Sequence, residues 1–352
     1  MGPSLRSEMG RRHRALRETP PRAQMDRAGP VRGVARRPLH RVTRATLRPG
    51  VGRPPLAHAL LRDPRLTPFT TGVSRMSQHP LQLLGCLLLG VLASTACATG
   101  RPAPLRLATN HPGCFGLMSL ETGEVTFNDA ARCRERLTPA STFKVPHALI
   151  ALESGVATPD EVFPWDGTKR SFEAWNQDQT LDTAMRRSAL WVFQRLATKL
   201  GREREEAWLK RFHYGNEDAS GDITKFWLNG PLRISPEEQL AFLARMYRGQ
   251  LPVSAQTLRT VQGMLVQRAD SVAHVRDDID LAGPWKDGAV LSAKTGSALR
   301  PEGNVTWLVG HVATRHGAFV FVSEVQTPAG PLPSPHPALA AAIASLRAQG
   351  LL

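Results

Sequence analysis

Lysine is scarce in this chain. Seven Lys stand against 38 Arg among 352 residues, and there are only two Tyr and four Cys. A rare residue type that falls inside a short motif carries more weight than a common one. A second lack is positive charge where nucleic acid would need it. The formal net charge is +15, yet residues 1–75 hold 17 Arg, no Lys and four acidic residues, a net of +13. The other 277 residues stand at +2. So neutral a body offers no basic surface for phosphate, and a nucleic-acid partner is excluded. A third lack is a long apolar run. Past residue 98 none approaches the roughly 20 residues that a membrane helix needs, so no integral membrane span is expected. No internal repeat is present there either.

Residues 1–75 also lack hydrophobic periodicity and are rich in Arg, Pro and Gly. Such a stretch cannot bury a core and is expected to be disordered. It reads as sequence translated ahead of the true start, because an export signal follows it. Met76 leads into Leu81–Leu92, almost all Leu, Gly, Val and Cys. Twelve residues suit the apolar core of a secretory signal. The small residues Ala93-Ser94-Thr95-Ala96-Cys97-Ala98 then allow cleavage after Ala98. The expectation is a signal over 76–98 and a periplasmic protein. Lipid attachment at Cys97 ranks second, since the Leu usual three residues before such a Cys is absent.

Two Cys remain past the signal, Cys114 and Cys133, and in an exported protein they invite a disulfide. Apolar runs flank the turn Glu121-Thr122-Gly123-Glu124. A hairpin over roughly 113–129 is predicted, with the two Cys near opposite each other across it. A helix follows from Ser141 to near Gly155, then a loop-rich stretch, 156–187, carrying Trp165-Asp166-Gly167 and Trp175. Helices are predicted over 188–201, into Phe212, from Ser235 and over 254–267. The third opens on Ser235-Pro236-Glu237-Glu238, a capping box with Pro at the first helical position. Strands follow at 289–295, 304–313 and 318–326, then an Ala-rich helix at 337–348. This order predicts one α+β domain over 99–352. Its sheet is mostly antiparallel, with terminal helices packed on it and an all-helical subdomain inserted. The site is expected between the sheet and that subdomain.

Ser141-Thr142-Phe143-Lys144 names a chemistry. Positions i and i+3 lie on one face of a helix, which brings an amine to a hydroxyl. A serine hydroxyl is a weak nucleophile until a neighbouring base activates it. Ser-x-x-Lys alone is a weak signal, but three more motifs follow. They are Ser188-Ala189-Leu190 at a helix start, Tyr214-Gly215-Asn216 at a helix end and Lys294-Thr295-Gly296 at a strand end. Two of the seven Lys and one of the two Tyr fall in these places.

With these motifs, and with Pro139–Pro146, Trp165-Asp166-Gly167, Lys225-Phe226-Trp227-Leu228 and Trp307, the chain resembles the class D serine β-lactamases, the oxacillinases. A class A enzyme would carry Ser-Asp-Asn where Ser188-Ala189-Leu190 stands. The resemblance implies the β-lactamase/transpeptidase-like fold, a β-lactam as small-molecule substrate, and an acyl-enzyme on Ser141. It implies that Lys144 is carbamylated and serves as the base, with carbon dioxide or bicarbonate as the one added group and no metal. The N–H groups of Ser141 and Ser297 would form the oxyanion hole. Phe143, Leu190 and Trp227 would wall the carbamate, with the Trp227 indole N–H as donor. Ser188 would relay a proton to the leaving nitrogen, and Lys294 would lend positive charge. Tyr214, Asn216, Thr295, Gly296 and Arg300 would bind substrate.

Two departures stand out. Leu190 replaces the usual Val, a larger group beside the carbamate. And no Arg or Lys lies between Arg315 and Arg347, where the family commonly carries an Arg for the substrate carboxylate. Lys294, Thr295 or Arg300 are the candidates to replace it. A β-lactam sensor domain that stalls at the acyl-enzyme is the competing reading, with a transpeptidase acting on peptidoglycan third.

Overall fold

A computed structural model describes residues 104–269, 271 and 280–352. The expected extension over 1–75 and the signal over 76–98 lie outside these residues. The centre is a five-stranded antiparallel sheet in the order β2-β1-β7-β6-β5. In chain order these are β1 (Gly113–Ser119), β2 (Val125–Phe127), β5 (Val290–Ala298), β6 (Asn304–Thr314) and β7 (Gly317–Thr327). Two short strands between them, β3 (Val162–Phe163) and β4 (Gln179–Thr180), pair only with each other. The helices are α1 (Lys144–Glu153), α2 (Leu181–Arg186), α3 (Leu190–Leu200), α4 (Arg202–Phe212), α5 (Pro236–Tyr247), α6 (Ala255–Leu265) and α7 (Pro337–Ala348).

Strand alternation decides what lies on each face. Val305, Trp307 and Val309 of β6, with Val320 and Val322 of β7, join the core formed with α5 and the helical block. Leu308, Val312 and Phe321 face the other way and join Leu339, Ile343 and Leu346 of α7. The sheet is therefore covered on both faces, and β6 and β7 carry buried apolar side chains on each of them. The first described element is β1, so of the terminal helices it is α7 that these residues show. The helical block α1–α4 and α6 shares the first core, and Ser235 caps α5 through the capping box its sequence announces.

Cys114 and Cys133 are bonded, with Cα atoms 5.2 Å apart. The bond does not cross the hairpin, however. Register places Gly116 opposite Phe127, and β2 ends there. Cys133 instead lies on a 3-10 turn, Arg132–Arg134, beyond the hairpin. The bridge thus ties the sheet's second strand to the segment that leads towards Ser141. It closes a loop with a sequence separation of 19, for which chain entropy predicts about 3 kcal/mol of stability. Denaturant titration of the oxidised and reduced protein should show a loss of that order, with Cys114→Ser reproducing it. Equal midpoints for the two forms would contradict a bonded pair.

Candidate active site

Ser141 does not lie within the α-helix proper. It sits in a 3-10 turn, Ala140–Phe143, and α1 begins at Lys144. Ala140, just before the nucleophile, has φ +50°, a conformation that a residue with a Cβ adopts only under strain. It is held there by its own N–H, which donates to the Trp227 carbonyl at 3.0 Å. The turn keeps Ser141 half-buried between buried neighbours. Lys144 Nζ lies 2.6 Å from Ser141 Oγ.

Lys144 is only 1% exposed. Burial, and after it the charge of Lys294, hold its amine well below the ordinary lysine range. Its Nζ lies 5.5 Å from the centre of the Phe193 ring. Lys294 is buried too, and burial alone brings it down to about 7. Its Nζ donates to Ser188 Oγ and to the Thr295 carbonyl, each at 3.0 Å. Among the described residues neither lysine joins an ion pair. Two buried amines, each on a serine hydroxyl, make up the chemical centre.

Ser188 precedes α3 with φ +54°. The cap residue of α3 is Ala189, which makes no side-chain cap, so the Ser188 hydroxyl is not spent on the helix. Leu190 opens α3, half-buried against the main core. Lys294, Thr295, Gly296 and Ser297 lie on β5, the edge strand of the sheet. Gly296 packs on the nucleophile turn so closely that a Cβ there would stand 3.0 Å from Thr142 Cγ2 and 3.1 Å from the Pro139 carbonyl. Glycine is the residue that permits this approach.

The aromatic wall is built on Phe143. Its ring stacks on Trp227 at 5.5 Å and meets Phe226 at 5.1 Å. Trp227 is fully buried, yet its indole N–H has no acceptor among the described residues. A buried donor left unmatched is costly and calls for a partner. His147, one turn beyond Lys144, packs on both Phe143 and Trp227. Its Nε2 lies 2.8 Å from Glu205 Oε1, both side chains fully buried. Among the described residues, no group of three or more His, Cys, Asp or Glu is placed to hold a metal ion.

Two expected substrate contacts are placed otherwise. Tyr214 is fully buried, and burial pushes its hydroxyl far up. It donates to Gln239 Oε1 at 3.2 Å, and Gln239 in turn donates to Thr142 Oγ1 at 2.7 Å. It therefore braces the nucleophile turn from behind. Asn216 spends its amide on backbone, giving to the Pro231 carbonyl and accepting from the Arg233 N–H. Between them Gly215, at φ +59°, passes so close that a Cβ would fall 2.0 Å from the Arg233 carbonyl. These three residues clamp the segment that carries Trp227. Arg300 lies past the end of β5 and pairs with Glu302 at 2.7 Å. Gln239, His147 and Glu205 escape the sequence reading, since helical periodicity gives no signal for a polar group buried on the apolar face. His336 escapes it too. It accepts or donates a hydrogen bond with Ser297 Oγ at 2.9 Å, and a lone titratable residue in an otherwise neutral stretch was its only signal.

The comparisons with known proteins agree with this geometry. Residues 113–344 match the penicillin binding protein transpeptidase domain. The probable β-lactamase YbxI of Bacillus subtilis is 40% identical over 214 residues, 60% of this chain and 74% of that protein. A crystal structure of a class D β-lactamase from Bacillus subtilis superposes with a TM-score of 0.60 at 37% identity, covering 69% of this chain and 93% of that one. The regulatory protein BlaR1 of Bacillus licheniformis is 37% identical over 216 residues, 61% of this chain but 33% of that protein. A serine acyl-transfer site of the penicillin-binding transpeptidase type is what the fold and the paired lysines define. Within that family the chain belongs to the class D β-lactamases.

The close packing at Gly296 generates one expectation. Gly296→Ala must push β5 from the nucleophile turn by a few tenths of an ångström, and acylation should slow at least tenfold, as misplaced reacting groups do. Unchanged acylation rates would show that this contact does not set the site. The buried Lys294 generates another. Its folded value of about 7 lies under the ordinary 10.5, so between those values the unfolded chain binds a proton that the folded one lacks. Stability should rise with pH through that window. Lys294→Met should flatten the rise in chemical denaturation at pH 7 to 10, and a parallel slope would contradict a neutral Lys294.

Proposed function

We propose that this protein hydrolyses penicillin-type β-lactams through an ester on Ser141, with Lys144 as its base. The observation that carries this is the pair of buried amines, free of counter-ions among the described residues, each within hydrogen-bond reach of a serine hydroxyl. Ser141 Oγ attacks the lactam carbonyl carbon as its proton passes towards Lys144. The N–H groups of Ser141 and Ser297 receive the oxyanion. The carbon–nitrogen bond then breaks, and Ser188, bonded to Lys294, delivers a proton to the departing nitrogen. Water completes the cycle at the Ser141 ester.

Lys144 also fits a carbon dioxide adduct. An amine kept neutral by burial is the form that adds carbon dioxide, and the Phe193 ring lies 5.5 Å from this one. The unmatched Trp227 indole N–H is a donor suited to a carbamate oxygen. Such an adduct supplies a buried base able to serve both halves of the reaction. An exported, periplasmic protein follows from the signal expected over 76–98.

The likeness to a regulatory protein favours one competing outcome, a domain that acylates once and stops. Nitrocefin in excess, with bicarbonate, should be turned over steadily by the purified protein. A burst of one equivalent and no more would sink the hydrolase reading. Lys144→Ala should fold and lose turnover by several orders of magnitude, and normal hydrolysis by it would refute the assigned base. Activity should fall on the acid side, where Lys144 regains its proton, and added bicarbonate should restore part of it.

A further inference from the structure

This inference rests on the β-lactam reading and concerns how the substrate's carboxylate is held. The expected cations are poorly placed for it. Arg300 is paired with Glu302. Lys294 is engaged by Ser188 and Thr295, and its burial keeps it from holding a full charge at neutral pH. Past β6, the stretch from 317 to 346 contains only two titratable side chains, Glu324 and His336.

His336 stands at the cap position of α7, ahead of Pro337. Cap positions favour Ser, Thr, Asp and Asn, whose side chains bond the helix N–H groups. His336 makes no such bond. Its imidazole turns instead to the sheet edge, with Nε2 2.9 Å from Ser297 Oγ. It is 3% exposed, whereas Ser297 is half-buried. Ser297 follows Gly296, the residue pressed on the nucleophile turn, and alternation turns its hydroxyl to the other face of β5, where it meets His336 at the sheet edge. Strand alternation puts Thr295 and Ser297 on one face of β5, two hydroxyls in a row on the edge strand.

We propose that Ser297 and His336 form the carboxylate-binding end of the substrate site. The imidazole donates from Nε2 to Ser297 Oγ, which frees the hydroxyl proton to bond a substrate carboxylate beside Thr295. His336 is a positioning residue in this scheme, and Ser297 is the group that touches substrate. The pair does with a backed hydroxyl what a bidentate Arg does directly.

The test compares a penicillin bearing its free carboxylate with its methyl ester, in the wild-type protein and in His336→Ala, His336→Gln, His336→Arg and Ser297→Ala. Wild type should prefer the acid. His336→Ala and Ser297→Ala should lower the ratio of kcat/KM for the acid to that for the ester by roughly ten- to a hundredfold, the scale of a hydrogen bond to a charged group. His336→Gln, which keeps a donor, should lose less. His336→Arg should restore or exceed the wild-type preference. Equal losses on acid and ester, or no loss on either, would overturn the proposal. Should His336→Ala prove unfolded by thermal melting, the Ser297→Ala and His336→Arg ratios decide the matter alone. Wild-type turnover with an unaltered preference in the variants removes this inference and leaves the hydrolase reading standing. A wild type that never acylates on Ser141 removes both.

Discussion

Keeping two lysines out of water, with no anion beside them among the described residues, is the constraint on which the rest of this site depends. Burial of an ammonium is costly unless the group is paired or gives up its proton. Burial drives both Lys144 and Lys294 towards the second course, and the field of Lys294 adds to what burial does to Lys144. A carboxylate in the same place would have fixed Lys144 as a cation and ended its use as a base. The Phe193 ring beside Lys144, and the Phe143–Trp227 stack joined to it through His147, therefore do more than fill space. They belong to the buried core that keeps solvent away from an amine which, on the proposed mechanism, must be uncharged to act.

Such a centre is useful only if its two halves meet accurately, because one half sits on a helical turn and the other on a sheet edge. Several contacts serve that end. The Ala140 N–H is anchored to the Trp227 carbonyl, and the Trp307 indole of β6 donates to the Thr138 carbonyl at 3.0 Å. Thr142 is tied through Gln239 to Tyr214. Gly296 allows β5 to close on the turn. All four act on residues 138–142 from different elements, so the strain at Ala140 is overdetermined by its surroundings, the condition under which strain persists at active sites.

How far the sequence reveals this depends on the range of each interaction. Ser141 and Lys144 are three residues apart, and their meeting is local geometry. Strand and helix bounds are legible where one pattern runs unbroken, as in α7, whose observed limits of 337 and 348 match those expected. The disulfide is legible from its context, but its path is not, because β2 ends at Phe127 and the chain turns before Cys133. Tyr214 and Asn216 mislead for a related reason. A motif shared with a family suggests a shared contact with substrate, whereas burial and backbone bonds show bracing. Helix α2 was hidden in the stretch 156–187 because six residues are too few to establish a period. His336, Gln239 and Glu205 depend on partners 25 to 97 residues away or, for His336 and Ser297, 39 away, and no local pattern announces a pair at that distance.

The likeness to both an enzyme and a regulator has a physical reading. Acylation and its products use the same serine, the same oxyanion donors and the same proton path to the leaving nitrogen, so fold and nucleophile cannot separate the two outcomes. They differ in the second half-reaction, where a water must reach the ester and find a base still buried beside it. That places the weight on what surrounds Lys144 rather than on Ser141. Under the proposed mechanism Leu190 would bear on it: it is half-buried at the first turn of α3, packed on the main core two residues past Ser188. Under that mechanism a tighter wall would keep the amine neutral and dry, and the same tightness would restrict water. On the proposed reading, the packing around one side chain would thus set the balance between a base that is well made and a base that is well supplied.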